Sequence, residues 1–152
     1  MKDFFLLFFL AAVLLMAACT DIRRHIIPNV LILSAVAIRI LLYIPLLIQH
    51  GIRIGEILIH AAVSVLFPVA LCLIAGAVIP GGIGMGDIKL MIVIAFYLDF
   101  WESVTAFLYS FLFAAIAALC CFAFRKEKEK PLRLPLAPAF LAGTMFAYFI
   151  RL

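Results

Sequence analysis

Six long apolar stretches, separated by short polar connections, take up most of the 152-residue chain. A helix needs about 20 apolar residues to cross the ~30 Å hydrocarbon layer of a bilayer. Because 69% of the residues are hydrophobic and 13% are charged, a soluble fold of this size could not bury so much apolar surface. The sequence therefore predicts an all-α, polytopic membrane protein of one domain, residues 1–152. Its six transmembrane helices are predicted over residues 4–19, 30–48, 54–79, 88–100, 101–124 and 134–150.

The basic residues predict how these spans are oriented, since short loops rich in Lys and Arg stay in the cytoplasm. The connections after the first, third and fifth spans hold eight of the twelve basic residues: Arg23, Arg24, Lys89 and five more within 125–133. The opposite side holds Lys2, Arg53 and Arg151. We therefore predict a multi-pass protein of the cytoplasmic membrane, with both termini outside and a glycine-rich connection, 80–87, inside.

Several other kinds of function find no support in the sequence. The basic residues form no groove with interleaved aromatic residues, so nucleic acid is not predicted as a partner. The four cysteines lie in apolar runs without a C-x-x-C pair or a histidine at zinc-ligand spacing, so neither a metal nor another cofactor is predicted. We interpret them as small buried hydrophobic residues: Cys19, Cys72, Cys120 and Cys121.

Two of the eight acidic residues lie where a loop meets an apolar span on the predicted cytoplasmic side. Asp21 follows the first span and Asp87 precedes the fourth. Two carboxyl groups that meet at one site share a proton, so that one is charged and the other neutral. Such a pair can perform aspartic proteolysis, in which one carboxylate activates water while its neighbour protonates the peptide carbonyl. The alternative is that each aspartate is a solvated charge at a helix end, where Asp87 would suit the helix dipole.

The glycines beside Asp87 point to close approach of the backbone. Gly84 and Gly86 flank Met85 directly before Asp87, and glycine can pass close to a neighbour and adopt positive φ. A substrate bound as an extended strand would need such an approach. A phosphate-binding loop is excluded, because no Gly-Lys-Ser/Thr follows.

Three segments together resemble the GxGD aspartic proteases of membranes, and most closely the type IV prepilin peptidases. They are "DIRRHIIPN" (21–29), "GMGDIKLM" (84–91) and "LPLAPAFLAG" (134–143). The resemblance implies that Asp21 and Asp87 are the catalytic pair, which cleaves the leader of prepilins or pseudopilins at the cytoplasmic membrane face. It also implies an active-site loop of Gly84, Met85, Gly86 and Lys89, and supporting residues Pro28, Asn29, Pro135 and Pro138.

The chain departs from the larger members of that family, which insert a zinc-binding region with paired C-x-x-C and also methylate the new N-terminus. It resembles the minimal form found with tight-adherence (Flp-type) pili, so N-methyltransferase activity is not expected. Two alternatives stay open: an archaeal-type preflagellin peptidase, which shares the two aspartate motifs, and a non-enzymatic membrane channel or assembly subunit. The sequence also places Arg39 inside the second span, where a charge needs a partner or water, and it does not indicate an oligomeric state.

Overall fold

The computed structural model describes residues 2–50, 54–78, 84–124 and 135–151, and the structural statements below concern these residues. They form six α-helices and no strand, so the all-α class is confirmed. In chain order the helices are α1 (Lys2–Arg24), α2 (Asn29–His50), α3 (Ile54–Val78), α4 (Met85–Tyr97), α5 (Phe100–Phe124) and α6 (Ala137–Arg151).

Two of these helices are long and apolar enough to cross a membrane by themselves. They lie in Phe5–Arg24 and Phe100–Ala123. By contrast, α4 has 13 residues and a length of about 20 Å at 1.5 Å per residue, which is shorter than the hydrocarbon layer. Six complete crossings therefore stay a prediction.

The first helix ends later than predicted, and this moves Asp21 from a loop into a helix. Polar residues do not stop α1, because the Thr20 hydroxyl donates to the Met16 and Ala17 carbonyls at 3.1 and 2.9 Å. The helix closes at His25, whose φ is +50° and whose N–H donates to the Asp21 carbonyl at 2.8 Å. The predicted end at residue 19 is therefore wrong.

The starts of α4 and α6 also differ from the prediction. Helix α4 begins at Met85 rather than residue 88, because extended Gly84 (φ −70°, ψ 141°) stands at its N-cap. It ends at Tyr97, since Leu98 is extended as well. Helix α6 begins at Ala137 rather than residue 134.

Helix α4 lies at the centre of the bundle. Its middle and end are buried almost all the way round, with Leu90, Met91, Val93, Ile94, Ala95 and Tyr97 inaccessible or nearly so. A helix that is apolar on every side is typical of such a central position. Helices α2 and α3 pack against α4, while α1 and α5 both pack against α6. The first turn of α4, with Asp87, is more accessible than this buried segment.

The cysteine interpretation is wrong for the three residues whose side chains are described. Cys19, Cys120 and Cys121 are free and exposed on helix surfaces. In a membrane protein the outward face of a helix is as apolar as the inward face, so hydrophobic neighbours in the sequence do not separate the two. The side chain of Cys72 lies outside the described part of the chain.

Candidate active site

Asp21 and Asp87 line the same cavity, of about 280 Å³. Its walls come from the end of α1, the connection to α2, and the first turns of α2 and α4. The structure brings seven of the sequence-predicted residues to this cavity: Asp21, Asn29, Gly84, Met85, Gly86, Asp87 and Lys89. Pro28, Pro135 and Pro138 do not line it. Pro28 precedes Asn29, and the other two stand on either side of Leu136 and Ala137 at the start of α6.

Asp21 is buried, and α6 binds its side chain. The carboxylate is 7% exposed, and its Oδ2 accepts a hydrogen bond from the backbone N–H of Ala137 at 3.0 Å. Ala137 is the first residue of α6, and the N–H groups of a first helical turn have no partner within their own helix. The positive end of the helix dipole adds to this bond.

The two prolines of the third motif define where α6 begins. Pro135 precedes the helix, and Pro138 is its second residue, a position where the missing N–H costs no intrahelical bond. Regular hydrogen bonding starts at once, since the Phe140 N–H donates to the Leu136 carbonyl at 3.0 Å. The prolines therefore leave the Ala137 N–H at the helix end that faces Asp21.

Asp87 is half-buried in the first turn of α4, before the predicted fourth span. The pKa of its carboxyl is raised from 3.8 to about 6, chiefly by burial and in smaller part by the negative charge of Asp21. A hydrogen bond with the Gly84 backbone acts against both effects. The environments of the two carboxyl groups thus differ: Asp21 accepts the Ala137 N–H, while Asp87 holds a proton to a higher pH than an exposed aspartate does.

Gly84 and Gly86 allow neighbouring atoms to lie close to the backbone, but neither adopts positive φ. Gly84 has φ −70° and Gly86 is helical, so the expected left-handed conformation is wrong for both. A Cβ on Gly84 would stand 3.0 Å from Oδ2 of Asp87, and one on Gly86 would stand 3.4 Å from Cβ of Ile27. Gly84 therefore leaves room for the Asp87 carboxyl, and Gly86 lets α4 pack against the connection that follows α1.

Lys89 and the first motif are joined directly. The Lys89 Nζ donates to Oδ1 of Asn29 at 2.8 Å, which links α4 to the first residue of α2. The Pro28 carbonyl accepts from the N–H groups of Leu31 and Ile32 at 3.1 and 3.4 Å and so begins α2. Pro28 and Asn29 hold the start of α2 beside α4.

Sequence reasoning missed two contributors to the site. His25, which follows α1, is exposed but lines the cavity with the aspartates. Ala137 contributes only a backbone N–H, which no residue type reveals. The only hint in the sequence is the pair of prolines, since proline is favoured in the first turn of a helix and so indicates that α6 begins close to Pro138. Arg39, by contrast, lies away from this cavity. Among the described residues, no three His, Cys, Asp or Glu side chains are close enough to hold a metal ion.

Comparison with known sequences agrees with the motifs. The sequence pattern of the type IV leader peptidase family matches residues 8–119, which include both aspartates and the glycines. The chain belongs to this family. The resemblance to the prepilin peptidases is thereby confirmed.

One protein with a similar sequence is the prepilin leader peptidase/N-methyltransferase of Bacillus subtilis (strain 168). The two are 35% identical over an alignment of 144 residues, and the alignment covers 90% of this chain and 52% of the relative. The chain thus spans about half the length of that relative. No solved structure matches the chain.

Proposed function

We propose that this protein is a membrane aspartic endopeptidase that removes the leader of type IV prepilins or pseudopilins. The observation that carries the proposal is the shared cavity of Asp21 and Asp87, in which the two carboxyl groups have different environments. A peptidase that activates water needs one charged and one protonated carboxyl group at a single site. Membership of the leader peptidase family and the name of the relative support the substrate class.

In the proposed reaction, Asp21 is the base and Asp87 the acid. The bond from Ala137 favours a charged Asp21, and the raised pKa of Asp87 favours its protonated form. Asp21 takes a proton from water as the water oxygen attacks the peptide carbonyl carbon, while Asp87 protonates the carbonyl oxygen. As the tetrahedral intermediate collapses, Asp21 gives its proton to the leaving amine and a hydroxyl of the intermediate returns one to Asp87. Both carboxyl groups are then restored.

The proposed substrate approaches from the cytoplasm. Arg23 and Arg24 end α1 at the cavity, and Lys89 lines it, so basic residues gather at the end of the bundle that holds the aspartates. By the charge rule for short loops this end faces the cytoplasm, and six spans would leave both termini outside. Methyl transfer, which appears in the name of the relative, is not part of the proposal, because the chain has no C-x-x-C pair.

The proposal is tested by replacing each acid with its neutral isostere. Asp21→Asn and Asp87→Asn should each abolish cleavage of a co-expressed prepilin, with membrane abundance unchanged. Glu127→Gln, an equal change of charge in the basic 125–133 segment, should cleave as the wild type does. An Asp21→Asn/Asp87→Asn double variant that still trims the prepilin would refute the proposal.

The same assay separates the two alternatives. A preflagellin peptidase would cleave a co-expressed preflagellin in preference to the prepilin. A channel or assembly subunit would cleave neither, and its aspartate variants would alter ion flux in proteoliposomes.

A further inference from the structure

A second cavity lies about 15 Å along the helices from the aspartates, a distance set by the ten residues between Asn29 and Arg39 at 1.5 Å per residue. It has a volume of about 110 Å³, and three leucines of α1 form its apolar side. Its polar side is lined by Arg39, Tyr97, Asp99, Glu102 and Tyr148. Five helices (α1, α2, α4, α5 and α6) and the α4–α5 connection therefore meet around a charged cavity that the proposed proteolysis does not use.

Hydrogen bonds fix two nitrogen atoms of the Arg39 guanidinium, but they do not satisfy the third. Its Nε donates to the Phe96 carbonyl at 3.1 Å and its Nη2 to the Tyr43 hydroxyl at 3.0 Å, and its guanidinium lies 4.3 Å from the centre of the Tyr43 ring. The side chain is 7% exposed, yet its Nη1 has no hydrogen-bond partner in the described part of the chain. A buried charged donor without a partner is costly, so an acceptor oxygen in the cavity would be bound favourably.

The charges around the cavity limit what can bind there. Arg39 supplies one positive charge, while Asp99 and Glu102 supply carboxylates next to the same space. A simple anion would be repelled by the two carboxylates, and a simple cation would leave the Arg39 Nη1 without an acceptor. A zwitterion, with anionic oxygens toward Arg39 and an ammonium group toward Asp99, matches both signs.

The surroundings favour a lipid over a soluble zwitterion. Trp101, between Asp99 and Glu102, is 73% exposed, and Phe5 and Phe8 of α1 are each 63% exposed. Exposed Trp beside Tyr is typical of the level at which lipid headgroups lie. A headgroup about 15 Å from the level of the aspartates requires a locally thinned bilayer, which a helix as short as the 13-residue α4 favours. An acyl chain could follow the exposed phenyl rings of α1 while the headgroup entered the cavity.

We propose that this cavity binds the headgroup of a zwitterionic phospholipid with a primary ammonium group, of the phosphatidylethanolamine type. A phosphate oxygen accepts a hydrogen bond from the Arg39 guanidinium, and the ammonium group donates to the carboxylate of Asp99. The bound lipid joins α1, α2, α4 and α5 at the end of the bundle away from the aspartates. The proposal does not depend on the proposed proteolysis, and its test requires no substrate.

The test measures lipid retention by native mass spectrometry on the full chain, delipidated in detergent and then mixed with phosphatidylethanolamine, phosphatidylcholine or phosphatidylglycerol. Phosphatidylethanolamine should be retained about tenfold more than the other two, the factor expected for one charge-assisted hydrogen bond. Phosphatidylcholine has no N–H to donate, and phosphatidylglycerol has no cation. Equal retention of the three lipids would overturn the proposal. If free phosphoethanolamine at an equal concentration displaced the lipid, the cavity would bind the soluble zwitterion as well as the lipid, and the proposal of a lipid ligand would be refuted.

Two variants make the test specific to the cavity. Asp99→Asn, an exposed change that should leave folding intact, should reduce the retention of phosphatidylethanolamine to that of phosphatidylglycerol. Glu129→Gln, the same change of charge outside the described residues, should keep the wild-type preference. Arg39→Gln should lose retention of all three lipids. If Asp99→Asn keeps the preference, the ammonium site is refuted whether or not Arg39→Gln folds.

Discussion

The Asp21 carboxylate accepts a hydrogen bond from the backbone N–H of Ala137 at 3.0 Å, across 116 residues of chain. The bond joins the last turns of α1 to the first residue of α6 inside the bundle. Through Oδ2 of Asp21, the bond connects the first motif of the sequence to the third. A charge on Asp21 is therefore stabilised by a donor that only the folded chain provides.

Replacing Ala137 with proline should remove this donor while keeping α6. Proline is well accepted at the first position of a helix, so the helix start should persist, whereas Asp21 would lose a charge-assisted hydrogen bond of about 1.5–3 kcal/mol. We expect kcat/KM for leader cleavage to fall by about 10- to 100-fold. The measurement is a kinetic assay on the purified variant, with its helix content checked by circular dichroism.

Ala137→Gly is the matched control, because it also changes the residue but keeps the N–H. Its kcat/KM should stay within a few-fold of the wild-type value. Equal losses in the two variants would show that side-chain packing at Ala137, not its N–H, supports the reaction.

The pH profile of the wild type should report the protonation of Asp87. The proposed reaction needs this carboxyl protonated, and its pKa is raised to about 6. The kcat/KM of the free enzyme should therefore decline as pH rises through about 6, approaching a tenfold loss per pH unit. Leader cleavage measured between pH 4.5 and 8.5 would test this, and a profile that stays flat up to pH 8 would contradict the assignment of Asp87 as the acid.

Asp87 should also make the stability of the protein depend on pH. Because its folded-state pKa lies above the unfolded value of 3.8, the protonated carboxyl contributes stability fully below about pH 3.8, and this contribution is lost as pH rises through about 6. Asparagine is neutral at every pH, so Asp87→Asn should have a higher Tm than the wild type at pH 8. The difference should close near pH 4. Glu127→Gln should show no such dependence of Tm on pH. An Asp87→Asn variant with a lower Tm than the wild type at pH 8 would contradict the predicted destabilisation by the charged Asp87.

The sequence predicted the helical class and the residues of the site better than it predicted helix ends. Apolar runs mark helices, but the end of α1 depends on Thr20 bonding to its own helix and on His25 adopting positive φ. Neither leaves a pattern in the residue types. Arg39 donates to the backbone carbonyl of Phe96, and Asp21 accepts from the backbone N–H of Ala137. The residue type does not reveal such backbone groups. Motif order could therefore bring the aspartates together, but not say what stabilises their charges.

The two glycines of the second motif should differ in their tolerance of alanine. A Cβ on Gly84 would press on Oδ2 of Asp87 at 3.0 Å, while one on Gly86 would make an ordinary contact with Ile27 at 3.4 Å. Gly84→Ala should therefore displace the carboxyl and lower kcat/KM by about tenfold or more, as one lost or misplaced hydrogen bond would. Gly86→Ala, its matched partner, should lose no more than a few-fold. The reverse order would show that the approach of α4 to Ile27 matters more than the position of Asp87.

Gly143 should be the glycine most needed for stability. A Cβ there would overlap the side chain and backbone of Ser110, because α5 and α6 pack closely at this point. Their contact continues through Phe107 and Phe140, whose rings meet edge to face with centroids 6.4 Å apart. Gly143→Ala should force the helices apart and cost about 1–3 kcal/mol or more, as overpacking does, and thermal unfolding in detergent would measure the loss.

Gly55→Ala is the control for this change. Gly55 also lies in a helix, α3, but nothing stands within 4 Å of a Cβ built on it. Alanine has the better helix propensity, by about 1 kcal/mol, so this variant should match or exceed the wild-type stability. If Gly143→Ala were equally harmless, α6 would have room to move away from α5. Because Ala137 and Phe140 lie on the same helix, such a movement should then appear as reduced leader cleavage without any loss of Tm.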